Sequence, residues 1–162
     1  MSGAGSPNLS PAETVDGSGL KITIVAGRWH DTIASGLLAG AHRVLDSSGA
    51  EVTEVRVPGS FELPVACKAA LEAGADAVVA LGVIIRGGTP HFDFVSNAAT
   101  DGLTRVAIDT GKPVGFGVLT LDVEQQGIDR AGLPGSKEDK GAEAALAALE
   151  MAVLLRQLRG SA

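Results

Sequence analysis

Four short segments of this 162-residue chain gather side chains able to do chemistry, and each begins where an apolar run stops. They are Gly27-Arg28-Trp29-His30, Pro58-Gly59-Ser60-Phe61-Glu62, Arg86-Gly87-Gly88-Thr89-Pro90-His91 and Leu121-Asp122. Trp29 is the one tryptophan. Its flat ring either stacks on a planar heterocycle or packs as the first residue of a helix. Gly87, Gly88 and Thr89 precede a helical pattern, where backbone N–H groups and the helix dipole can hold a phosphate. The same three residues also suit a plain turn, and their spacing fits neither a dinucleotide fingerprint nor a P-loop. His91 follows in that loop, and imidazole is the side chain best matched to proton transfer near neutral pH. Its alternative is a surface or capping role. His30 starts a helix and His42 lies within one, and neither is assigned a catalytic part. Arg130 and Lys140 flank residues 131–139, where they either pair with a phosphate or a hydroxylated chain, or stand as solvated charge.

The elements that must position these residues alternate between strand and helix. Residues 21–26 form a short apolar strand. Ile33, Leu37, Leu38, Ala41, Val44 and Leu45 recur at helical spacing until Gly49. Residues 51–57 alternate as a strand, and Pro58-Gly59 turns the chain. Ser60 is expected to cap a helix running to Gly74, with Glu62 and Pro64 favourable in its first turn. The run DAVVALGVII at 76–85 predicts a strand buried on both faces of a parallel sheet. A helix at 92–109, a strand at 114–120, a short helix at 123–131 and a long helix at 140–158 complete the pattern. Leu146, Leu149, Val153 and Leu154 are expected to form the apolar stripe of the last helix. Such alternation predicts a four-stranded parallel sheet covered on both faces. Ligands of open sheets bind beyond the carboxyl ends of the strands, where the four chemical segments fall. A sheet this small leaves edges to cover, which favours self-association over a monomer. Residues 1–19 hold almost no large apolar groups and read as a disordered tail, and residues 20–162 as one domain.

Composition narrows the function. The chain is 45% hydrophobic and 20% charged with a net charge of −6, so a nucleic-acid partner is not expected and an anionic substrate requires local positive charge. Cys67, the single cysteine, sits in an apolar helical pattern and reads as a small buried hydrophobe. No Cys/His cluster has metal-ligand spacing. Neither a signal peptide nor a bilayer-spanning run is apparent, which makes the cytoplasm the expected location and a membrane partner unexpected.

Four motifs in register resemble the lumazine synthase family: VPGSFELP at 57–64, ALGVIIRGGTPHFDFV at 80–95, GVLT at 117–120 and DRAG at 129–132 followed by Lys140-Gly141. The order and spacing fit across about residues 20–158. The resemblance implies a flavodoxin-like α/β/α sandwich that assembles as a homopentamer, with active sites at subunit interfaces. It implies condensation of 5-amino-6-(ribitylamino)pyrimidine-2,4-dione with 3,4-dihydroxy-2-butanone 4-phosphate, giving 6,7-dimethyl-8-ribityllumazine, phosphate and water. No metal or organic cofactor is implied.

Carried over residue by residue, Trp29 stacks on the pyrimidine, at a place more often held by Phe. The backbone at Val83, Ile84 and Ile85 reads the ring edge. Ser60, Phe61 and Glu62 hold the ribityl chain with Lys140 nearby. Gly87, Gly88, Thr89 and Arg130 bind phosphate. His91 is the proton shuttle, assisted by Glu143. Arg130, Lys140 and Phe116 come from a neighbouring subunit. Gly88 stands where Glu is frequent, and Val123 and Gly127 replace a common Thr and Ala, which can shift the helix expected to carry Arg130. Phe116 occupies a variable place. The segment GLPGSKEDKG is longer than in capsid-forming members and favours a free pentamer. Two other readings of the same fold stay open: a non-catalytic flavin or lumazine carrier, and a shell-forming structural protein.

Overall fold

The apolar run at the centre of the sequence is also the centre of the sheet. In the computed structural model, which describes Gly5 and residues 15–160, it forms β3 (Ala77–Ile85), buried along almost its whole length. β3 pairs in parallel with β1 (Lys21–Gly27) on one side and β4 (Val114–Leu121) on the other, and β2 (Glu51–Val57) pairs with β1. The order is β2-β1-β3-β4. The chain leaves β1 for one edge and returns to the other side of it, so the switch in direction lies between β1 and β3. A crevice outside the carboxyl ends of two strands forms at such a point.

Helices cover both faces. On one lie α1 (Asp31–Asp46) and α5 (Lys140–Leu158), packed on Ile22, Ile24, Val79 and Leu81. On the other lie α2 (Leu63–Glu72) and α3 (His91–Thr110), packed on Val25, Val78, Ala80 and Val118. Residues such as Ile22 and Ile24 are fully buried, each worth about 1.5–3 kcal/mol relative to exposure. Lys112 ties the end of α2 to the turn that follows it, donating from Nζ to the carbonyls of Leu71 at 3.0 Å and Ala75 at 2.9 Å. Cys67 is wholly buried in the α2/α3 layer, and burial pushes its thiol up to about 12, which leaves it a hydrophobe rather than a nucleophile.

Several expectations shift. Of the residues read as a tail, 1–4 and 6–14 lie outside the described part, but 15–19 are part of the packed body. Val15 packs on the core, Gly17 N–H donates to the Ser48 carbonyl at 2.8 Å, and Arg156 donates to the Ser18 carbonyl at 3.0 Å. Ser60 does not cap a helix. It opens a single 3-10 turn, Ser60–Glu62, with no side-chain cap, and its buried hydroxyl faces β3 at Gly82. The expected stripe of α5 holds in part: Leu149 is buried and Val153 packs on the core, but Leu154 is exposed and the buried face is made mainly by Ala144, Ala145, Ala148 and Ala152. The reason is distance. A Cβ on Gly141 would stand 2.0 Å from the Leu37 carbonyl oxygen, so α1 and α5 meet backbone to backbone and larger side chains do not fit between them. Among the described residues, no helix is long and apolar enough to cross a membrane.

Candidate active site

At the switch point β1 and β3 open into a cleft of about 670 Å³. Trp29, His30, Gly59, Ser60, Phe61 and Glu62 form one wall, and Val83, Ile84, Ile85, Gly87, Thr89 and His91 the other, with Phe92, Phe94 and Val95 of α3 beyond. His30 has φ 58, the one non-glycine residue in the left-handed region among those described. Such a backbone costs about 1 kcal/mol or more and marks a constrained turn. It reverses the chain abruptly after β1, so that Trp29 stands out over Gly59, where an added Cβ would meet the indole Cδ1 at 3.2 Å. The ring is 67% exposed, so the core-packing alternative for Trp29 does not hold. Phe61 and Phe94 are exposed as well. In fact none of the one tryptophan and four phenylalanines is in the buried core, and all of them line this cleft or the second one below. Large apolar groups left in water together mark a binding surface.

The loop after β3 enters this cleft. Arg86 N–H donates to the Leu121 carbonyl at 2.8 Å, and Gly87 and Gly88 then cross in the open. Neither glycine has a left-handed φ, and a Cβ on either would meet nothing within 4 Å. The chain itself does not require glycine there. His91 is not in the loop, as the sequence suggested, but is the first residue of α3, its N–H 3.4 Å from Thr89 Oγ1. Its exposed ring and the free end of the helix therefore face the cleft together.

A second cleft of about 450 Å³ runs along the open edge of β4. Its lining includes Phe116, Asp122, Gln126, Arg130 and Lys140. Arg130 lies in the turn after α4 (Glu124–Ile128), not within a helix reaching residue 131 as expected. Gly127 lets α4 sit tightly, because a Cβ there would meet Ile33 Cδ1 at 2.6 Å and Leu121 Cδ1 at 2.7 Å. Residues 131–139 form a closed loop whose neck is the antiparallel bridge Ala131–Asp139 and the bond from Lys140 N–H to the Arg130 carbonyl at 2.9 Å. That neck holds the two cations side by side. Arg130 Nε and Lys140 Nζ each lie 3.5 Å from the Glu138 carboxylate, and Lys140 also donates to Glu143 Oε2 at 2.8 Å.

The expected residues thus fall into two sets. Trp29, Ser60, Phe61, Glu62, Val83, Ile84, Ile85, Gly87, Thr89 and His91 share the first cleft, with Gly88 beside it in the loop. Phe116, Arg130 and Lys140 line the second, with Glu143 held by Lys140, so Glu143 is not brought to His91 within one chain. Sequence reasoning passed over Phe92, Phe94 and Val95, which follow His91 on α3, and gave His30, Arg86, Asp122 and Gln126 no role in the site. Position at a strand end was the available signal for His30, Arg86 and Asp122. Gln126 had none.

A parallel α/β sandwich with an aromatic cleft at the strand switch and a separate polar cleft carrying Arg130 and Lys140 on the edge strand defines a small-molecule-binding protein of flavodoxin-like architecture. Comparison with known sequences narrows this class. The profile of the family described as 6,7-dimethyl-8-ribityllumazine synthase matches residues 19–156. A 6,7-dimethyl-8-ribityllumazine synthase of Leifsonia xyli subsp. xyli is 74% identical over 160 residues, covering 99% of this chain and 100% of that one. The protein of the same name from Clavibacter michiganensis subsp. michiganensis is 70% identical, with 99% and 100% covered. One from Arthrobacter sp. is 63% identical, with 97% and 99% covered. The chain belongs to the 6,7-dimethyl-8-ribityllumazine synthase family.

Proposed function

We propose that this chain condenses 5-amino-6-(ribitylamino)pyrimidine-2,4-dione with 3,4-dihydroxy-2-butanone 4-phosphate to 6,7-dimethyl-8-ribityllumazine in riboflavin biosynthesis, with each active site built from the first cleft of one subunit and the second cleft of a neighbour. The observation that carries this reading is the split itself. A planar, polyhydroxylated substrate needs an aromatic surface with hydrogen-bonding groups, which the first cleft has. A phosphate monoester needs localised cations in a chain of net charge −6, and those lie in the other cleft.

In this assignment Trp29 stacks on the pyrimidine, the backbone at Val83–Ile85 reads its edge, and Ser60, Phe61 and Glu62 hold the ribityl chain. Phosphate sits on the Gly87-Gly88-Thr89 loop at the start of α3, which supplies N–H groups and the positive end of a helix dipole. Bare glycines leave that approach unobstructed. The neighbour's Arg130 closes over the phosphate, and its half-exposed guanidinium exchanges Glu138 for the dianion. Phe116, Lys140 and Glu143 arrive on the same neighbouring edge. His91, beside the loop, moves the protons released when the substrate amine adds to the ketone and water departs. The cationic cradle then stabilises the leaving phosphate. Both reactants are held in register, so orientation supplies much of the rate.

Such sites require a homo-oligomer, and the open edges of β2 and β4 favour one; the assembly proposed is a pentamer that stops short of a capsid. The direct test is to mix the purified protein with both substrates and follow lumazine absorbance. A flavin or lumazine carrier on the same fold binds the product and forms none. Sedimentation checks the assembly: a fully active monomer at micromolar concentration would refute the shared site.

A further inference from the structure

The two clefts of one chain are not independent. Arg86 stands between them at the end of β3. Its guanidinium carbon lies 4.3 Å from the centroid of the Phe92 ring, in the first cleft. Its Nε donates to Asp122 Oδ1 at 2.8 Å, in the second, and Nη1 is 3.7 Å from Asp93 Oδ1. The Asp122 carboxylate, through that hydrogen bond, holds the Arg86 guanidinium still more firmly charged than usual. The connection then continues. The Asp122 backbone N–H donates to Gln126 Oε1 at 2.7 Å, and the Gln126 backbone carbonyl accepts from Arg130 Nη1 at 2.9 Å. A continuous line of contacts therefore runs from the start of α3 to the guanidinium of Arg130: Phe92, Arg86, Asp122, Gln126, Arg130, passing through the backbone of Asp122 and of Gln126 in its last two links.

We infer that Arg86, Asp122 and Gln126 are positioning residues, which set both parts of the phosphate cradle from one chain: the loop 87–89 that Arg86 opens, and the Arg130 side chain that the line ends on. The inference rests on the phosphate assignment proposed above. Local structure does not need this arrangement for stability. The side chains of Arg86 and Asp122 are 49% and 66% exposed, and ion pairs of that kind contribute little to folding. What the line does is restrict where two anion-binding groups point. The loop has few side-chain anchors of its own, because two of its three residues, Gly87 and Gly88, carry no side chain. In an assembly with shared sites, the two groups serve two successive sites, so the line also lies between one site and the next. Coupling of that kind is established only by a measured dependence between the ends.

The test uses Arg86→Ala, Asp122→Asn, their double variant and Arg86→Lys in the full-length protein, beside Arg130→Ala. The readouts are melting temperature, steady-state kinetics for each substrate and inorganic phosphate binding by calorimetry. Both single variants are expected to raise the KM for the phosphorylated substrate and the Kd for inorganic phosphate roughly three- to tenfold. The KM for the ribityl substrate and the melting temperature should stay at parent values. The double variant should be no worse than the weaker single, since either change removes the same Arg86–Asp122 contact. Arg86→Lys should recover part of the loss. Parent-like phosphate affinity in both singles, additive losses in the double, or losses that track a falling melting temperature overturn the inference. If the parent forms no lumazine, or Arg130→Ala binds phosphate like the parent, the failure lies in the assignment of the site instead.

Discussion

Glycine does opposite work in two regions of this molecule. Between α1 and α5, Gly40 and Gly141 are pressed against other atoms: an added Cβ would stand 2.2 Å from Asp139 Oδ1 at one and 2.0 Å from the Leu37 carbonyl at the other. In the loop after β3, Gly87 and Gly88 have open space around them and ordinary backbone angles. The first pair is explained by the fold. The second is not, and is left to be explained by something the chain approaches. The aromatic residues divide the same way, since the sealed helix interface uses Ala and Leu while every aromatic ring faces a cleft. A residue type thus says little until its surroundings are known, and an absence of packing is itself a sign of function.

The strongest way to sharpen this contrast is at Arg130. Losing a charge-assisted contact in a partly buried site costs about 2–5 kcal/mol, so Arg130→Ala should nearly abolish inorganic phosphate binding in calorimetry while the fold persists. Arg130→Lys should restore only part of the affinity, because lysine lacks the planar fork. His91→Ala should lose turnover, about a hundredfold or less given that orientation carries much of the reaction, and keep the affinity for the ribityl substrate. If His91→Ala proved the more damaging of the two, the chemistry would belong to the imidazole rather than to the cradle.

Next come the glycines themselves. Gly141→Ala should destabilise by about 2–3 kcal/mol, the upper part of the usual overpacking range, because a backbone oxygen cannot move aside as a side chain can. Gly87→Ala should change stability by no more than about 0.5 kcal/mol, as a surface substitution does, yet weaken phosphate binding. Equal losses of melting temperature in the two variants would erase the distinction between packed and open glycine.

Trp29→Ala should weaken lumazine or riboflavin binding by about 1–3 kcal/mol, the scale of base–aromatic stacking, with little change in stability, since the ring is already in water. Trp29→Phe should stay active. Binding should quench the fluorescence of the parent, in which Trp29 is the single tryptophan and tyrosine is absent. A ligand that binds the Ala variant as tightly as the parent would place the ring elsewhere.

What was legible in the sequence follows the same division. The strands were: β3 because a strand buried on both faces is typically an apolar run such as DAVVALGVII, and β2 because its residues alternate. The positions of the strand ends followed, and with them most of the first cleft. The face of α5 was legible only at Leu149 and Val153, because hydrophobic periodicity looks for large side chains and here small ones make most of the contact. Val15 was not, because one apolar residue in a polar segment carries no periodicity. Ser60 had the composition of a cap but not the backbone, since a 3-10 turn intervenes before α2. Arg86 and Asp122 were each visible at strand ends, but their pairing spans 36 positions and depends on β3 and β4 being neighbours. Nothing local announces such a pair. The two-cleft division likewise required the sheet order, which sequence patterns alone left open.

The smallest effect concerns pH, and it separates folding from activity. His42 on α1 lies 3.2 Å from Asp46 and 3.4 Å from Glu54 of β2, well away from both clefts. Burial lowers its pKa, but hydrogen bonds to Asp46 and Glu54 outweigh this, and the net shift is upward. The folded protein therefore binds this proton more tightly than the unfolded chain does. The resulting stabilisation is fully present below the unfolded value, about 6.5, and is lost as pH rises through the raised folded value. The side chain is 35% exposed, so solvent screening limits the contribution to a few tenths of a kcal/mol, as for other exposed pairs. His42→Gln should be slightly less stable than the parent at pH 5.5 by about that amount and indistinguishable from it near pH 9. The same substitution should leave the pH profile of lumazine formation unchanged, because His42 and its partners Asp46 and Glu54 line neither cleft. A shifted activity profile in His42→Gln would mean that the sealed face and the open end communicate, and the contrast between them would then be one of packing alone.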